Sequence, residues 1–337
     1  MKSIRVTKKQ QRAIVAGCVG AIALSGVVAL FVVDYGVIAD RIKAMGYTPD
    51  AEMQTLIDEI ALTERGELVL KASQPTLLAR AEFNNACQSY MPDVPVLGCY
   101  TAERIYVYDI ENEEVNGIRQ STLAHESLHA VWYRMNDGER EKLTQALEDA
   151  YEARADEWKS RLDKYPKESF HDELHAIVGT EVAVSDLPEV LQKHYARYFD
   201  DHGKVVNYYV AYSDKFEELQ KEADTLYAEI TANQEKITAE TTNYNDGIEA
   251  LNTAIEDFNR RAANGAFTSM AAFNAERATL VGRQNTLEAL YTQIQNMVTA
   301  TNQLIEKYNN NVARTQALVD SINSNTKTPE AEIKDEE

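Results

Sequence analysis

Cysteine is scarce, with three in 337 residues. None falls in a C-x-x-C spacing, so cysteine ligation of a metal has little to stand on. Cys18 lies within an apolar run, which leaves Cys87 and Cys99 as one pair flanking Gln88 to Gly98, a loop that holds Pro92 and Pro95. Two cysteines this close commonly bridge in an oxidising compartment, where closing the loop would add roughly 3 kcal/mol by restricting the unfolded chain. In a reducing compartment they are two free thiols. Basic residues are a minority: 34 Lys and Arg face 54 Asp and Glu, for a net charge of -20. That balance excludes a nucleic-acid surface, disfavours anionic lipid and polymers, and supports solubility.

The first twelve residues reverse the trend. Lys2, Arg5, Lys8, Lys9 and Arg12 are all basic, and no acid accompanies them. Ala13 to Val33 then runs without a charge, long enough at about 1.5 Å per residue to cross a hydrocarbon core of about 30 Å. A buried core helix would not need those flanks. A cleaved signal peptide is the alternative, but the run exceeds the usual apolar length and lacks a clear A-x-A site. The expectation is an uncleaved anchor, with residues 1–12 cytoplasmic and everything after Asp34 extracytoplasmic: a single-pass membrane protein.

Histidine is sparse too, yet two of the six stand in one motif, His125-Glu126-Ser127-Leu128-His129. On a helix, positions i and i+4 lie one above the other, so both imidazoles can face one cation with Glu126 beside them. Leu123, Leu128, Val131 and Met135, with Trp132 nearby, supply an apolar stripe that would pack such a helix on a core. A helix with two unconnected histidines and a solvated glutamate is the bland reading of the same string. Just before it, Arg104 to Ile110 alternates as a strand does. Strand followed by helix is the order expected where a substrate strand pairs with an edge strand above a zinc site.

Thr122 to Trp132, Thr-Leu-Ala-His-Glu-Ser-Leu-His-Ala-Val-Trp, resembles the active-site helix of the zincin metallopeptidases. The likeness covers about a dozen residues closely. The metzincin extension to HExxHxxGxxH is missing, since the stretch continues Ala130-Val131-Trp132-Tyr133-Arg134-Met135 without the glycine or the third histidine. The resemblance therefore points to a gluzincin-like branch, whose third zinc ligand is a glutamate on a later helix. Phe170 to Glu181 offers Glu173, followed by bulky and small residues as in several zincins, and Glu181 as the alternative. Ser185-Asp186 after Glu181 resembles the acidic partner of thermolysin-like enzymes, one residue too far along. A histidine ligand from His171 or His175 is physically open.

The implied metal set is His125, His129 and Glu173 around Zn2+. Such an ion lowers the pKa of a water towards about 7, and Glu126 would act as general base and then hand the proton to the leaving amine. The chain's 18 tyrosines include donors for the developing oxyanion, with no sequence reason to choose Tyr165 or Tyr133 over the rest.

Beyond Tyr198 the pattern becomes heptad-like. Tyr212, Phe216, Leu219, Ala223, Leu226 and Ile230 alternate steps of four and three, the spacing resumes from Thr241 to Phe258, and Leu280, Leu287, Ile294, Thr301, Tyr308, Thr315 and Ile322 recur every seventh residue. Asn264-Gly265 between the arms signals a turn. An antiparallel coiled-coil hairpin is expected, with a dimeric coiled coil as the alternative. Asn233, Thr241, Thr301 and Thr315 on the seam read as register devices.

The expected architecture is an α+β zincin-like metallopeptidase domain at 35–205, behind a membrane helix at 13–33, with a coiled-coil hairpin at 206–325 and a disordered acidic tail at 326–337. The expected function is extracytoplasmic cleavage of a peptide or protein substrate, with a cell-envelope partner for the hairpin. A noncatalytic scaffold acting through the coiled coil is the rival. Intact His125, Glu126 and His129 argue against it.

Overall fold

Helix starts along this chain are set by short polar side chains. Asp50 accepts from the Met53 amide and Thr63 from the Gly66 amide, while Asn136 and Glu139 form a reciprocal capping box. Behind these caps apolar residues recur at helical spacing, as at Met53, Leu56 and Ile57 or Leu143, Leu147 and Ala150, and all are buried. The computed structural model describes residues 36–87 and 96–324. Its described helices are α1 (Ala51–Glu59), α2 (Glu64–Ala72), α3 (Arg80–Ala86), α4 (Ile118–Arg134), α5 (Asp137–Glu152), α6 (Ala155–Leu162), α7 (Phe170–Glu181), α8 (Glu189–Tyr195), α9 (His202–Ala263) and α10 (Met270–Ile322). Residues 36–45 are also helical.

Strands are few: β1 (Thr76–Leu78), β2 (Gly98–Thr101) and β3 (Arg104–Tyr108) form one sheet in the order β1-β3-β2. β1 runs parallel to β3 with Thr76 opposite Tyr106, and β2 runs antiparallel with Gly98 opposite Val107. The expected strand at 104–110 therefore ends two residues early. β1 and β2 are the edge strands, and α4 packs against both β2 and β3.

Two expectations are corrected here. The domain is mostly helical, not α+β, because its strands have only three to five residues while capped, 3.6-periodic segments fill the space around them. Membrane anchorage, with the single-pass extracytoplasmic placement that followed from it, is withdrawn. No helix among the described residues is long and apolar enough to cross a membrane. The run at 13–33 that suggested it lies outside the described residues, as do the basic arm at 1–12 and the tail at 326–337.

The chain divides into two compact units, 1–213 with 320–337, and Asp214–Val319. The core of the first gathers α1, α2, β3, α4, α5, α6, α7 and α8 around side chains such as Leu123, Leu128, Trp158, Leu174 and Tyr195, none more than about one per cent exposed.

In the second unit, α9 and α10 pair antiparallel. Tyr227 meets Tyr308, Tyr244 meets Tyr291, and Phe258 meets Phe273 near the turn, so partners converge as the arms approach Gly265, which has a φ of +65°. Thr301 and Thr315 spend their hydroxyls on carbonyls one turn back in their own helix. Polar ties between the arms are Asn311, whose Nδ2 donates to Glu222 Oε2 at 2.8 Å, and, nearer the turn, Arg261, whose guanidinium pairs with Glu276. Because the seams close within one chain at small loop-closure cost, a fragment of residues 214–319 should be highly helical and monomeric. Its melting temperature should stay constant over a hundredfold change in concentration; a rise with concentration would replace the hairpin by an intermolecular coiled coil.

Candidate active site

Helix α4 starts at Gly117, where φ is +97° and a Cβ would lie 2.6 Å from the Tyr208 carbonyl oxygen. Only glycine meets both demands. From that start Leu123, Ala124, Leu128, Ala130 and Val131 turn into the core, and His125 and His129 come to neighbouring turns on one face. Their Nε2 atoms lie 3.2 Å apart. Opposite, α7 packs against α4 at Gly179, where a Cβ would come within 2.6 Å of Tyr195 Cε1 and would also strike Leu128. This close packing presents Glu173 to the imidazole pair. Its Oε2 is 3.7 Å from His129 Nε2 and 3.9 Å from His125 Nε2.

These distances test whether zinc fits. Tetrahedral coordination with Zn–N of about 2.0–2.1 Å separates two imidazole nitrogens by roughly 3.3 Å. The pair at 3.2 Å meets that edge, and the carboxylate stands only a few tenths of an ångström beyond it. Two nitrogens and one carboxylate oxygen are also a donor set that zinc accepts with a position to spare. The residues present fit the ion.

Glu126 is 5% exposed and has no hydrogen bond or ion pair among the described residues. One of its oxygens and one nitrogen of each imidazole all lie within 4.8 Å of one another. Burial pushes its carboxyl up to about 8, with the charges of Glu173 and Asp172 adding and His129 opposing. Strand β2 presses against it: a Cβ on Gly98 would meet Glu126 Cγ at 2.6 Å and Oε1 at 2.7 Å.

The two histidines differ. Burial, then the charge of His129, pushes His125 well below its ordinary range, so it is neutral. Burial would lower His129 as well, but its Nδ1–H donates to Asp172 Oδ1 at 2.8 Å, and this bond with the surrounding carboxylates holds it up at about 10. The bond fixes the ring and leaves Nε2 facing His125. A metal ion binding there must displace a proton from His129, so its affinity rises with pH.

The site opens into a cleft of about 540 Å³ lined by Gly98, Tyr100, His125, Glu126, Tyr165 and Glu173. The Cys87–Cys99 disulfide, with its Cα atoms 5.9 Å apart, forms another part of the wall and ties the end of α3 to β2. Tyr165 lies near enough to Glu173 and Glu126 that burial, then the charges of these two carboxylates, raise its phenol.

The other candidates are engaged elsewhere. Glu181 gives both oxygens to Arg161, at 2.7 and 2.8 Å. His171 meets Glu148 at 2.9 Å, His175 meets His194 at 2.8 Å, and Asp186 pairs with Arg154. Tyr133 packs on Tyr100 at the rim of a neighbouring cleft and is 56% exposed. Sequence reasoning passed over Asp172, although it precedes Glu173 in the segment singled out, and passed over Gly98, Arg161 and Lys164. The available signal for Asp172 was an acid in the first turn of the helix expected to supply the third ligand.

No family model matches the chain, and no curated protein or solved structure is significantly similar to it.

Proposed function

We propose that this chain is a zinc-dependent peptidase of zincin type, with His125, His129 and Glu173 as metal ligands and Glu126 as general base. The observation that carries the reading is the convergence of two imidazole Nε2 atoms 3.2 Å apart on one carboxylate, beside a second, buried carboxylate with no hydrogen-bond partner among the described residues. A glutamate so placed is costly to keep, since burial without hydrogen bonds penalises its charge. A noncatalytic scaffold has no use for it.

Bound zinc would supply Lewis-acid polarisation of a carbonyl and a water of lowered pKa. Glu126 takes the proton from the attacking water and delivers it to the departing amine, which its position beside the imidazole pair allows. Asp172 holds His129 in the tautomer that offers Nε2. Tyr165, kept protonated and lining the cleft, donates to the oxygen that gains charge. Gly98 keeps β2 close, so water reaches Glu126 from the cleft side.

The test is metal analysis of the purified full chain after zinc supplementation, paired with a screen against a diverse peptide library. One zinc per chain is expected, with cleavage abolished by a chelator and restored by zinc. Protein that takes up no zinc would overturn the reading.

A further inference from the structure

Next to the zinc ligands the cleft has a side chamber of about 200 Å³. It shares His125, Glu126, Gly98 and Tyr165 with the main cleft, so its mouth adjoins Glu126. Its volume falls below the roughly 300–1,000 Å³ of sites for drug-sized ligands, which makes it a receptacle for one side chain.

The far wall is built from α6, the turn after it, α7 and the first turns of α9: Arg161, Lys164, Glu181, Tyr209 and Tyr212. Donors outnumber free acceptors there. Both oxygens of Glu181 are taken by Arg161, and Tyr209 also bonds to that carboxylate. Burial, with the charge of Glu181, raises the phenols of Tyr209 and Tyr212, so both stay protonated; the O–H of Tyr209 is spent on Glu181, and that of Tyr212 remains to donate. Lys164 has no ion pair among the described residues and stands at the exposed side of the chamber. With Glu181 cancelling Arg161, the far wall is left with the positive charge of Lys164 and the hydroxyl of Tyr212. That is notable in a chain carrying 54 acids against 34 bases. At the far wall an aliphatic side chain would leave those donors unpaired, and the end of a basic one would face Lys164. A carboxylate meets both the charge and the hydrogen bonds.

Resting on the peptidase reading, we propose that this chamber is a specificity pocket that receives an acidic side chain of the substrate, Asp or Glu, next to the peptide bond that is cut. Arg161 is the structural floor, fixed by Glu181. Lys164 is the adjustable charge.

The experiment uses the zinc-loaded full chain and paired blocked peptides that differ only by Glu or Gln at each position flanking the cut. At one position Glu should exceed Gln by about tenfold in kcat/KM, the margin of a charge-assisted over a neutral hydrogen bond. The same pairs, fluorescently labelled and titrated with Glu126→Gln protein, should show that preference in binding without turnover. Lys164→Met should erase the preference and Lys164→Glu should reverse it. Lys164 is exposed, so both variants should keep the wild-type circular dichroism spectrum. Cleavage with no acid preference at any position overturns the pocket and leaves the peptidase reading standing. A preference that survives Lys164→Glu overturns it too, and no cleavage of any peptide overturns both readings.

Discussion

Glu126→Gln should keep one zinc per chain and lower kcat/KM on a susceptible peptide by about 10²- to 10⁴-fold, the range that a positioned general base contributes. The amide has the shape of the carboxylate, and the space is tight, since Glu126 Cγ would stand only 2.6 Å from a Cβ on Gly98. His125, His129 and Glu173 are untouched by the exchange, so metal content measured on the same preparation separates loss of the base from loss of the ion. Equal rates for the two proteins would remove Glu126 from the chemistry.

The same variant carries a stability signature of definite sign. In the fold Glu126 is raised from 4.5 to about 8, chiefly by burial. A carboxyl whose folded value is raised contributes stability that is complete below 4.5 and is lost as pH rises through about 8. Glutamine does not titrate. In the presence of a chelator, Tm of wild type should therefore fall relative to Glu126→Gln as pH goes from 5 to 9, with the variant the more stable at the alkaline end. A gap that closes with pH would mean that the carboxyl gains a partner on ionising.

What could be read from the sequence was local. His125, Glu126 and His129 lie within one helical turn of each other, and the turn between the long arms depends on Asn264-Gly265. In such cases spacing along the chain is nearly spacing in space. The joining of Cys87 to Cys99 was similarly within reach of a short loop, and Glu173 was reached with help from a family pattern. The rest depends on contacts that no window contains. Asp172 bonds to His129 across 43 positions, Gly98 meets Glu126 through the packing of an edge strand on a helix, and Arg161 finds Glu181 across 20. Fold class went astray for a related reason. One alternating strand at Arg104 was legible, but its partners are three and four residues long, too short for any period to announce them, and the helices around them outweigh the sheet.

Glu173→Ala and Glu181→Ala should separate completely, although the two residues share one helix. Removing Glu173 takes away the carboxylate 3.7–3.9 Å from both imidazole nitrogens, and zinc affinity should fall by more than the roughly 10- to 100-fold that loss of an outer hydrogen-bond partner costs. Asp172→Ala provides that outer reference, since Asp172 touches only His129 Nδ1 within the site. Glu181→Ala should leave zinc affinity near wild type and act on stability instead. Its side chain is 6% exposed and grips Arg161, but the Arg161 side chain is 44% exposed, so solvent takes up much of the freed charge. Breaking a fully buried pair costs about 3–5 kcal/mol; with this screening a loss of about 1–2 kcal/mol is expected, read as a lower Tm. Chelator-competition titrations on the three variants, run beside thermal melts, give the order Glu173→Ala weakest, Asp172→Ala intermediate and Glu181→Ala unchanged. If Glu181→Ala lost the metal while Glu173→Ala kept it, the third ligand would move to the end of α7, and the Arg161 pair would have to open to release it.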